Sequence, residues 1–395
     1  MSGSLVRGFL LIDSKMRNEI IKGIGDEIMK TKVAIVFAQP SPYRVDLISY
    51  LQKTYQNYEF CFFYGEKVNT REWDINFSKL QKSVEVPLKA LCWNGKTHQH
   101  IKVIFSKVSV YLDEFKPNVI IASEYNAISL DSLKWAMKHN IPFISWTDGT
   151  PHSERNISFI QKMQRKYVFK RAKGYIASST KSKELQRRYG AKEENIFVSF
   201  LTVDITKYIC NHITNSVPVF LFVGSLIKLK GLDLLLKALG KMRDEPFVLR
   251  IVGSGDEQDN LMKQVEEQGL AGKVEFKGFI ATNEMRAVYE GADAFILPTR
   301  DDCFGLVTLE AMCAGLPVFV SKYADGAYDL VEQGVNGIVF DPYDVDNLAS
   351  VLKEYITQPK KLAEMGQKSK ERVMLFSLDS VSKPIIAAID SVLNR

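Results

Sequence analysis

Two carboxylates and a predicted helix start mark the stretch DDCFGLVTLEAMCAG, which begins at Asp301. Asp302 stands eight positions before Glu310, and Phe304 and Gly305 follow the first acid closely. The pattern predicts a loop that carries Asp302 and a helix that runs from about Phe304 through Glu310. A helix start exposes backbone N–H groups and a positive dipole end, so we expect anion-binding amides at Gly305, Leu306 and Val307. Each acid would hydrogen-bond a different part of one hydroxyl-rich ligand.

A second set of candidates follows a predicted strand in FLFVGSLIKLKG. The strand ends at Gly224, a short basic loop follows, and a helix is predicted to begin near Lys230. Ligands of parallel α/β domains bind at the carboxyl ends of the strands. Gly224 would let the backbone approach a phosphate, while Lys230 and Lys228 would supply positive charge. A bound diphosphate is one interpretation of this loop, and ordinary exposed lysines are the other.

Two further glycine-containing turns follow in the second half of the chain. The turn IVGSG, which contains Gly253, is interpreted first as a tight turn that supports an α/β fold. In KGFI, the backbone at Gly278, Phe279 and Ile280 would be able to cover the edge of a nucleobase.

The elements that must position these residues alternate between short apolar strands and longer helical patterns, as in parallel α/β domains. We predict two Rossmann-like domains. Their boundaries, in chain order, are a helical extension at 1–31, a first domain at 32–209, a linker at 210–217, a second domain at 218–373 and a helix at 374–395 that crosses back to the first domain.

Composition narrows the class of protein. A chain of 395 residues with 46% hydrophobic residues suits two packed cores and excludes a disordered or fibrous protein. The five cysteines are scattered without a CxxC pair, which indicates neither a disulfide framework nor a zinc site. His98 and His100 are interpreted as a surface pair. No apolar run reaches the roughly 18 residues that a membrane span needs, and the start lacks a signal cleavage site, so we expect a cytoplasmic protein.

The modest net charge of +6 is concentrated in FIQKMQRKYVFKRAK, which contains six basic and no acidic residues. The pattern predicts a basic amphipathic helix. One interpretation is a face that rests on anionic lipid or a phosphate-rich ligand, and the other is a solvated basic face above an ordinary buried stripe.

At this point the residues resemble a known family. Asp302 and Glu310, together with Phe304, Gly305 and Pro317, resemble the paired-acid block of retaining GT-B glycosyltransferases, glycosyltransferase family 4 (group 1). The resemblance extends through GSLIKLKG, IVGSG, KGFI and NGIVFDPYDVDNLA, from Val217 to about Leu352. It implies an α/β protein of the GT-B fold, in which two Rossmann-like domains face each other across a cleft.

The resemblance also implies roles for single residues. Glu310 would hold the ribose hydroxyls of a nucleotide, and Asp302 would contact the donor sugar. Lys230 would bind the diphosphate, with Gly305 and Leu306 near the sugar or phosphate. No metal and no cofactor other than the nucleotide-diphosphate sugar itself is implied.

Three positions depart from the family pattern. The first acid is Asp302 where glutamate is usual, which shortens its reach by about 1.5 Å. Ser225 replaces a phosphate-binding arginine and removes a charge-assisted contact, for which we expect Lys228 to compensate. The usual asparagine-glycine pair ahead of the interdomain segment is Leu201 and Thr202.

In the first half, the acceptor loop of the family is rich in glycine, whereas FAQPSPYRVDLI is stiffened by prolines and carries Tyr43 and Arg44. Both residues are predicted to bind the acceptor. After a later strand, ISWTDGTPHSERN occupies the place where relatives carry a histidine near the donor sugar. Asp148 is the candidate catalytic group there, and His152 is a candidate acceptor contact or an ordinary loop histidine.

The resemblance thus implies a retaining glycosyltransferase that moves a sugar to a hydroxyl acceptor, such as a lipid-linked or polysaccharide precursor. An anionic membrane surface is an expected partner, on the inner membrane face, and nucleic acid is not. The alternative is a degenerate, non-catalytic member that binds a nucleotide sugar or a partner, and the departures at Ser225 and Asp302 favour it.

Overall fold

A computed structural model describes residues 30–66, 75–94, 99–210 and 215–394 of the chain. The predicted N-terminal extension lies, up to residue 29, outside the described residues. His98 and the side chain of His100 also lie outside them, as do residues 211–214 of the predicted linker.

Short runs rich in β-branched and aromatic residues form the strands. In chain order these are β1 (Thr31–Phe37), β2 (Tyr58–Gly65), β3 (Ser83–Val86), β4 (Leu88–Asn94), β5 (Gln99–Ser106), β6 (Val119–Ser123), β7 (Phe143–Thr147), β8 (Gly174–Ala177), β9 (Ile196–Val198), β10 (Val219–Val223), β11 (Val248–Val252), β12 (Val274–Phe276), β13 (Ala294–Leu297), β14 (Val318–Ser321) and β15 (Gly337–Phe340).

Helices connect most of these strands. In chain order they are α1 (Pro42–Thr54), α2 (Val108–Phe115), α3 (Ala127–His139), α4 (Phe159–Phe169), α5 (Thr180–Arg188), α6 (Leu232–Gly240), α7 (Gln258–Glu267), α8 (Met285–Glu290), α9 (Leu306–Cys313), α10 (Ala327–Leu330), α11 (Val345–Ile356), α12 (Pro359–Val373) and α13 (Leu378–Leu393).

Two parallel sheets organise the molecule. The first has the strand order β3-β2-β1-β6-β7-β8-β9, the second has the order β12-β11-β10-β13-β14-β15, and β4 and β5 form a separate antiparallel hairpin. Strand order therefore reverses between β1 and β6 in the first sheet and between β10 and β13 in the second. A parallel sheet opens a crevice at such a reversal, beyond the carboxyl ends of the strands, and ligands bind there. Each domain thus has one predicted binding crevice.

Burial on both faces explains the continuous apolar strands. In β1, Val33, Ile35 and Phe37 pack into one cluster of buried residues, while Ala34 and Val36 pack into another on the opposite face. Alternate residues of a strand point to opposite faces, so helices must cover both sides of this sheet.

The C-terminal helix α13 packs against the first sheet, mainly on β8 and β9. The hydroxyl of Tyr58 donates to Asp390, and the Ser199 hydroxyl donates to the Val381 carbonyl at 2.8 Å. The chain thus ends on the domain in which it began. Residues ahead of the predicted linker join the core of the second domain, among them Leu201, Val203, Ile205 and Tyr208, and so does Cys210, the first residue of that linker. The exact domain limits given above stay a prediction.

Glycine is required where the loops of the second sheet cross. The Gly224 amide donates to the Val252 carbonyl at 3.0 Å, and the Gly253 amide donates to the Gly278 carbonyl at 2.8 Å. A Cβ at Gly253 would lie 2.0 Å from the Gly224 carbonyl oxygen, and its φ of 133° is one that residues with a side chain rarely adopt. Gly253 therefore fixes how closely two loops of the crevice approach.

We predict that Gly253→Ala destabilises the second domain by about 3 kcal/mol or more, since backbone strain and a backbone clash add. Gly272→Ala is the matched control, because Gly272 also has a positive φ of 76° but a Cβ there meets nothing within 4 Å. Urea unfolding of both variants measures the difference. Equal losses of stability in the two variants would show that the close approach of Gly253 to the Gly224 carbonyl does not contribute to the effect.

Candidate active site

An ion pair spans the crevice of the second sheet. The loop after β10 carries Lys230, the loop after β13 carries Asp302, and the Lys230 ammonium lies 2.6 Å from Asp302 Oδ2. The other oxygen, Oδ1, accepts from the amides of Phe304 at 3.1 Å and Gly305 at 2.8 Å. The Asp302 carboxylate thus joins the two loops and also holds the turn that leads into α9.

The bonds to Asp302 change one expectation about the backbone amides before and at the start of α9. The Gly305 amide, predicted to bind an anion, is occupied by Asp302. The amides of Leu306 and Val307 have no acceptor among the described residues, so they are the ones available to a ligand. Burial by itself would raise the pKa of Asp302, but the charge of Lys230 and the bonds from Lys230 and the two amides outweigh it and lower the pKa. Asp302 is therefore ionised at neutral pH.

Glu310 lies on α9, as predicted, and faces two tyrosines. The Tyr289 hydroxyl donates to Glu310 Oε2 at 2.7 Å, and Tyr208 also hydrogen-bonds this carboxyl. Burial raises the pKa of Glu310 to about 7, although both tyrosine bonds act to lower it. A carboxyl group in this setting gains from a ligand that supplies additional hydroxyl donors.

Lys228 does not reach the crevice in the way that was expected. Its ammonium lies 2.9 Å from Asp233 Oδ2 at the start of α6. The guanidinium of Arg300 donates to both oxygens of the same carboxylate, at 2.7 and 2.8 Å. Lys228 is therefore already paired, and its predicted compensation for Ser225 requires it to leave Asp233. Arg300 was missed, although its place in a loop after a strand was a usable signal.

The predicted nucleobase wall is open to solvent. Phe279 is 73% exposed, and Gly278 before it has a φ of 68°. Ile280 packs against the core instead. A large exposed aromatic ring beside a glycine turn has the shape and chemistry to stack on a planar ring.

In the first domain, Asp148 directly follows β7 and is held from several sides. Its Oδ1 accepts from the Arg44 guanidinium at 2.5 Å and from the Ser178 hydroxyl, which in turn accepts from the Trp146 indole N–H at 2.8 Å. Arg44 is almost fully buried and lies 4.4 Å from the centre of the Trp146 ring. The structure therefore places Arg44 against Asp148, whose carboxylate it orients, and its contact with an acceptor stays a prediction.

Glu124, which the sequence reasoning missed, follows β6 and lies next to Asp148. Its Oε1 accepts from the Asp148 amide at 2.8 Å. Burial, and after it the negative charge of Asp148, raises the pKa of Glu124 to about 7. A carboxylate directly after a buried strand is the signal that could have found Glu124, whereas Asp148 was identified from the place of a histidine in the family.

The remaining first-domain candidates lie where the two domains meet. The imidazole Nε2 of His152 lies 3.6 Å from Asp301 Oδ2, and its ring centre is 5.8 Å from that of Tyr323. Tyr43 packs against the core of the second domain. Both residues thus line the contact between the domains.

Several contacts close the cleft beside the site. Arg155 donates to Asp301 at 2.8 Å, the Thr150 hydroxyl donates to Asp325, and the Thr180 amide donates to Asp329 at 3.0 Å. Cys303 is near enough to the first domain for Asp148 and Glu124 to add to the increase in its pKa that burial causes. The loop that carries Asp302 therefore faces the two carboxylates of the first domain.

Comparisons with known proteins agree with this geometry. Residues 211–372 match the family model of the glycosyl transferases group 1. An uncharacterised glycosyltransferase of Methanocaldococcus jannaschii is 38% identical over 130 residues, which cover 33% of each protein. A GDP-mannose-dependent alpha-(1-6)-phosphatidylinositol monomannoside mannosyltransferase of Mycolicibacterium smegmatis is 32% identical over 158 residues, 38% of this chain and 41% of that protein. In such matches the chain spans about a third to a half of the relative's length.

Among solved structures, the Anabaena HepE protein in complex with UDP matches with a TM-score of 0.72 and 19% identity, over 91% of this chain and 100% of that chain. At this level of identity the likeness concerns the fold, which is GT-B, as the sequence resemblance implied.

The raised pKa of Glu310 gives a prediction about stability. Between its unperturbed pKa of 4.5 and its folded pKa of about 7, the folded protein keeps a proton that the unfolded chain releases. The free energy of unfolding should therefore fall as the pH rises through this window. Between pH 5 and pH 8, the free energy of unfolding of Glu310→Gln should therefore fall by about 1 to 3 kcal/mol less than that of the wild type.

Urea unfolding at both pH values measures this effect. The contribution of Glu124 is present in both proteins and cancels in the comparison. Glu267→Gln, an exposed carboxylate on α7, should keep the wild-type pH dependence. If Glu310→Gln shows the same fall as the wild type, the carboxyl group does not carry a proton in the folded protein.

Proposed function

We propose that this chain, whose residues 211–372 match the family model of the glycosyl transferases group 1, moves a sugar from a nucleotide-diphosphate sugar to a hydroxyl acceptor with retention of configuration. The observation that carries the proposal is the arrangement at one crevice of a lysine, a helix start and a buried carboxyl group. Lys230, the free amides of Leu306 and Val307, and Glu310 match the charge and the hydroxyls of a nucleotide diphosphate.

In the proposed complex the diphosphate replaces Asp302 as the partner of Lys230. Both partners of Lys230 are oxyanions, so the ammonium keeps its charge compensation while Asp302 keeps its bonds to the two amides. Asp302 Oδ2 then becomes free to accept from a sugar hydroxyl. Glu310 keeps the bond from the Tyr289 hydroxyl and accepts the ribose hydroxyls in addition.

Retention requires the new bond to form on the face from which the diphosphate leaves. In our proposal the bond from the anomeric carbon to the diphosphate oxygen breaks as the acceptor oxygen bonds to that carbon. The leaving phosphate oxygen takes the acceptor proton. Lys230 and the start of α9 stabilise the charge that develops on the leaving group, and the domains orient the two substrates.

A non-catalytic protein that binds a nucleotide sugar is the second candidate. The departures at Ser225 and Asp302 favour it, because the first removes a charge and the second shortens a contact. Turnover of any donor, seen as release of nucleotide diphosphate, excludes this candidate.

We predict that one nucleotide diphosphate raises the melting temperature of the protein, by roughly 5 to 10 °C at a hundredfold excess over its dissociation constant. The panel includes UDP and GDP with their sugars, since HepE is seen with UDP and the mycobacterial relative is GDP-mannose-dependent. Glu310→Ala and Lys230→Ala should each lose most of the shift. Glu267→Ala and Lys237→Ala, two exposed residues of the same domain, should keep it. No shift with any nucleotide would count against the donor site.

We also propose that the enzyme works at an anionic membrane surface. The first turns of α4 leave apolar side chains in solvent, with Phe159 76%, Ile160 70% and Met163 52% exposed. Exposed lysines follow along the helix and just beyond its end, namely Lys162, Lys166, Lys170 and Lys173. An apolar patch with basic residues around it fits lipid headgroups above acyl chains. Among the described residues no helix is long and apolar enough to span a bilayer.

One basic residue of the predicted exposed face is buried instead. Arg165 is buried and forms a salt bridge to Glu154 at 2.7 Å, with its guanidinium 4.4 Å from the Tyr125 ring centre. It anchors α4 to the domain and is not part of the exposed charge. The exposed apolar residues also argue against the ordinary buried stripe, since only Val168 and Phe169 of the apolar set are buried.

We predict that the protein floats with vesicles of phosphatidylcholine and phosphatidylglycerol but not with phosphatidylcholine alone. Lys166→Glu with Lys170→Glu should weaken binding roughly 10- to 100-fold, because each lysine near an anionic surface contributes about 1 kcal/mol. Lys237→Glu with Lys263→Glu makes the same charge change on the second domain and should bind normally. Binding that does not depend on lipid charge and is unchanged by Lys166→Glu with Lys170→Glu would refute the proposal.

A further inference from the structure

Glu124 occupies a position that a glutamate adopts only under constraint. It follows β6 at the reversal of strand order in the first sheet, where the crevice of that domain opens. Its φ is 61°, in the left-handed region where residues other than glycine, asparagine and aspartate are uncommon. A strained backbone at the mouth of a crevice is typical of functional sites. Nothing in the roles assigned above uses this side chain.

The Glu124 and Asp148 side chains stand on neighbouring strands, and each keeps an oxygen for a ligand. The Thr147 hydroxyl donates to both oxygens of Glu124, each at 3.3 Å, whereas the Asp148 amide donates only to Oε1. Asp148 is bonded through Oδ1, while Oδ2 has no partner among the described residues. Glu124 Oε2 and Asp148 Oδ2 are thus the least satisfied acceptors at this edge of the sheet.

The surroundings of the pair compensate one of its two charges. Arg44 forms a salt bridge with Asp148 at 2.5 Å, whereas Glu124 has no salt bridge among the described residues. Arg165, the other nearby cation, donates through two of its nitrogens to Glu154. Besides burial, the charges of Asp148 and Glu154 raise the pKa of Glu124, and that of Arg165 lowers it. The pair therefore presents acceptors to the cleft, together with one uncompensated negative charge when Glu124 is ionised.

We propose that Glu124 and Asp148 together bind the acceptor, and that the reacting end of the acceptor is a neutral sugar or polyol. Adjacent hydroxyls of such a group donate to the two carboxylates. A phosphate or carboxylate at the same place would face the charge of ionised Glu124 and no unpaired cation, since Arg44 and Arg165 are bound to Asp148 and Glu154. This inference rests on the proposed glycosyl transfer and deepens it by naming the class of acceptor.

The position of the pair relative to the donor side supports this assignment. In addition to burial, the negative charges of Asp148 and Glu124 both raise the pKa of Cys303, which is next to Asp302 in the chain. A hydroxyl held by the pair therefore lies beside the loop that is proposed to contact the donor sugar. Burial and the charge of Asp148 raise the pKa of Glu124 to about 7, so at neutral pH this carboxyl group can accept from a hydroxyl when ionised and donate to one when protonated.

The test separates transfer to an acceptor from the handling of the donor. Octyl glucoside, octyl galactoside and inositol serve as neutral probes, and glucose 6-phosphate and glucuronate serve as anionic ones. Release of nucleotide diphosphate is measured with each probe and with water alone, using the donor found by thermal shift. We expect transfer to a neutral probe and little to the anionic ones.

Glu124→Gln should lower kcat/KM for the neutral probe roughly 10- to 100-fold, the effect of a hydrogen bond to a charged group. The thermal shift with nucleotide and the hydrolysis of donor by water should stay within threefold of wild type. Glu114→Gln, an exposed carboxylate on α2, should behave as wild type throughout. Glu124→Gly relieves the left-handed strain, so it should melt no lower than wild type and still lose transfer.

The outcomes are distinguishable. Transfer by Glu124→Gln within threefold of wild type, or a wild type that prefers anionic probes, overturns the inference and leaves glycosyl transfer intact. Equal losses of transfer, hydrolysis and nucleotide binding in Glu124→Gln would assign Glu124 a structural role and also overturn it. A wild type that binds nucleotide but turns over no donor with any probe or with water overturns the proposed function, and this inference with it.

Discussion

The second domain depends on how one carboxylate divides its hydrogen bonds. Asp302 gives one oxygen to the amides at the start of α9 and the other to Lys230. Without the carboxylate, two buried amides would lack an acceptor and a largely buried ammonium would lack a counterion, and both are costly. The loops after β10 and β13 therefore keep their spacing in the absence of a ligand. The crevice is organised before anything binds.

This division also explains the shorter acid at position 302. Aspartate favours tight turns, because its short side chain returns to the backbone amides just after it. Asp302 does so at 2.8 Å from the Gly305 amide. A glutamate has one more carbon to order, so it would hold this turn less well but reach further. The departure from the family pattern thus exchanges reach for a rigid turn before α9, and the left-handed Gly305 with a φ of 76° lets the chain turn into the helix.

The sequence predicted the fold well where the signal was local. Apolar runs bounded by glycine, such as VFLFVGS, became strands of two parallel sheets, and the start of α9 was placed within two residues. Side-chain partners were predicted poorly because they depend on distant segments. Arg44 lies 104 positions from Asp148, and Lys228 turned to Asp233 where a ligand had been expected. Glu124 was missed for a similar reason, since neither its neighbours in sequence nor a motif reveals its left-handed backbone.

The two crevices face each other, and the contacts between the domains determine what reaches them. Arg155 and Asp301 form an ion pair that is partly exposed, which contributes little to holding the cleft shut. Asp325 and Asp329 are more constrained, because burial raises the pKa of each against the hydrogen bonds from Thr150 and Thr180. Opening the cleft returns both carboxyl groups to water and removes the burial that disfavours their charge, so the hydration gained opposes the loss of these hydrogen bonds. Closure then removes water from the space between the carboxylates of the first domain and the helix start of the second, where water would compete as an acceptor.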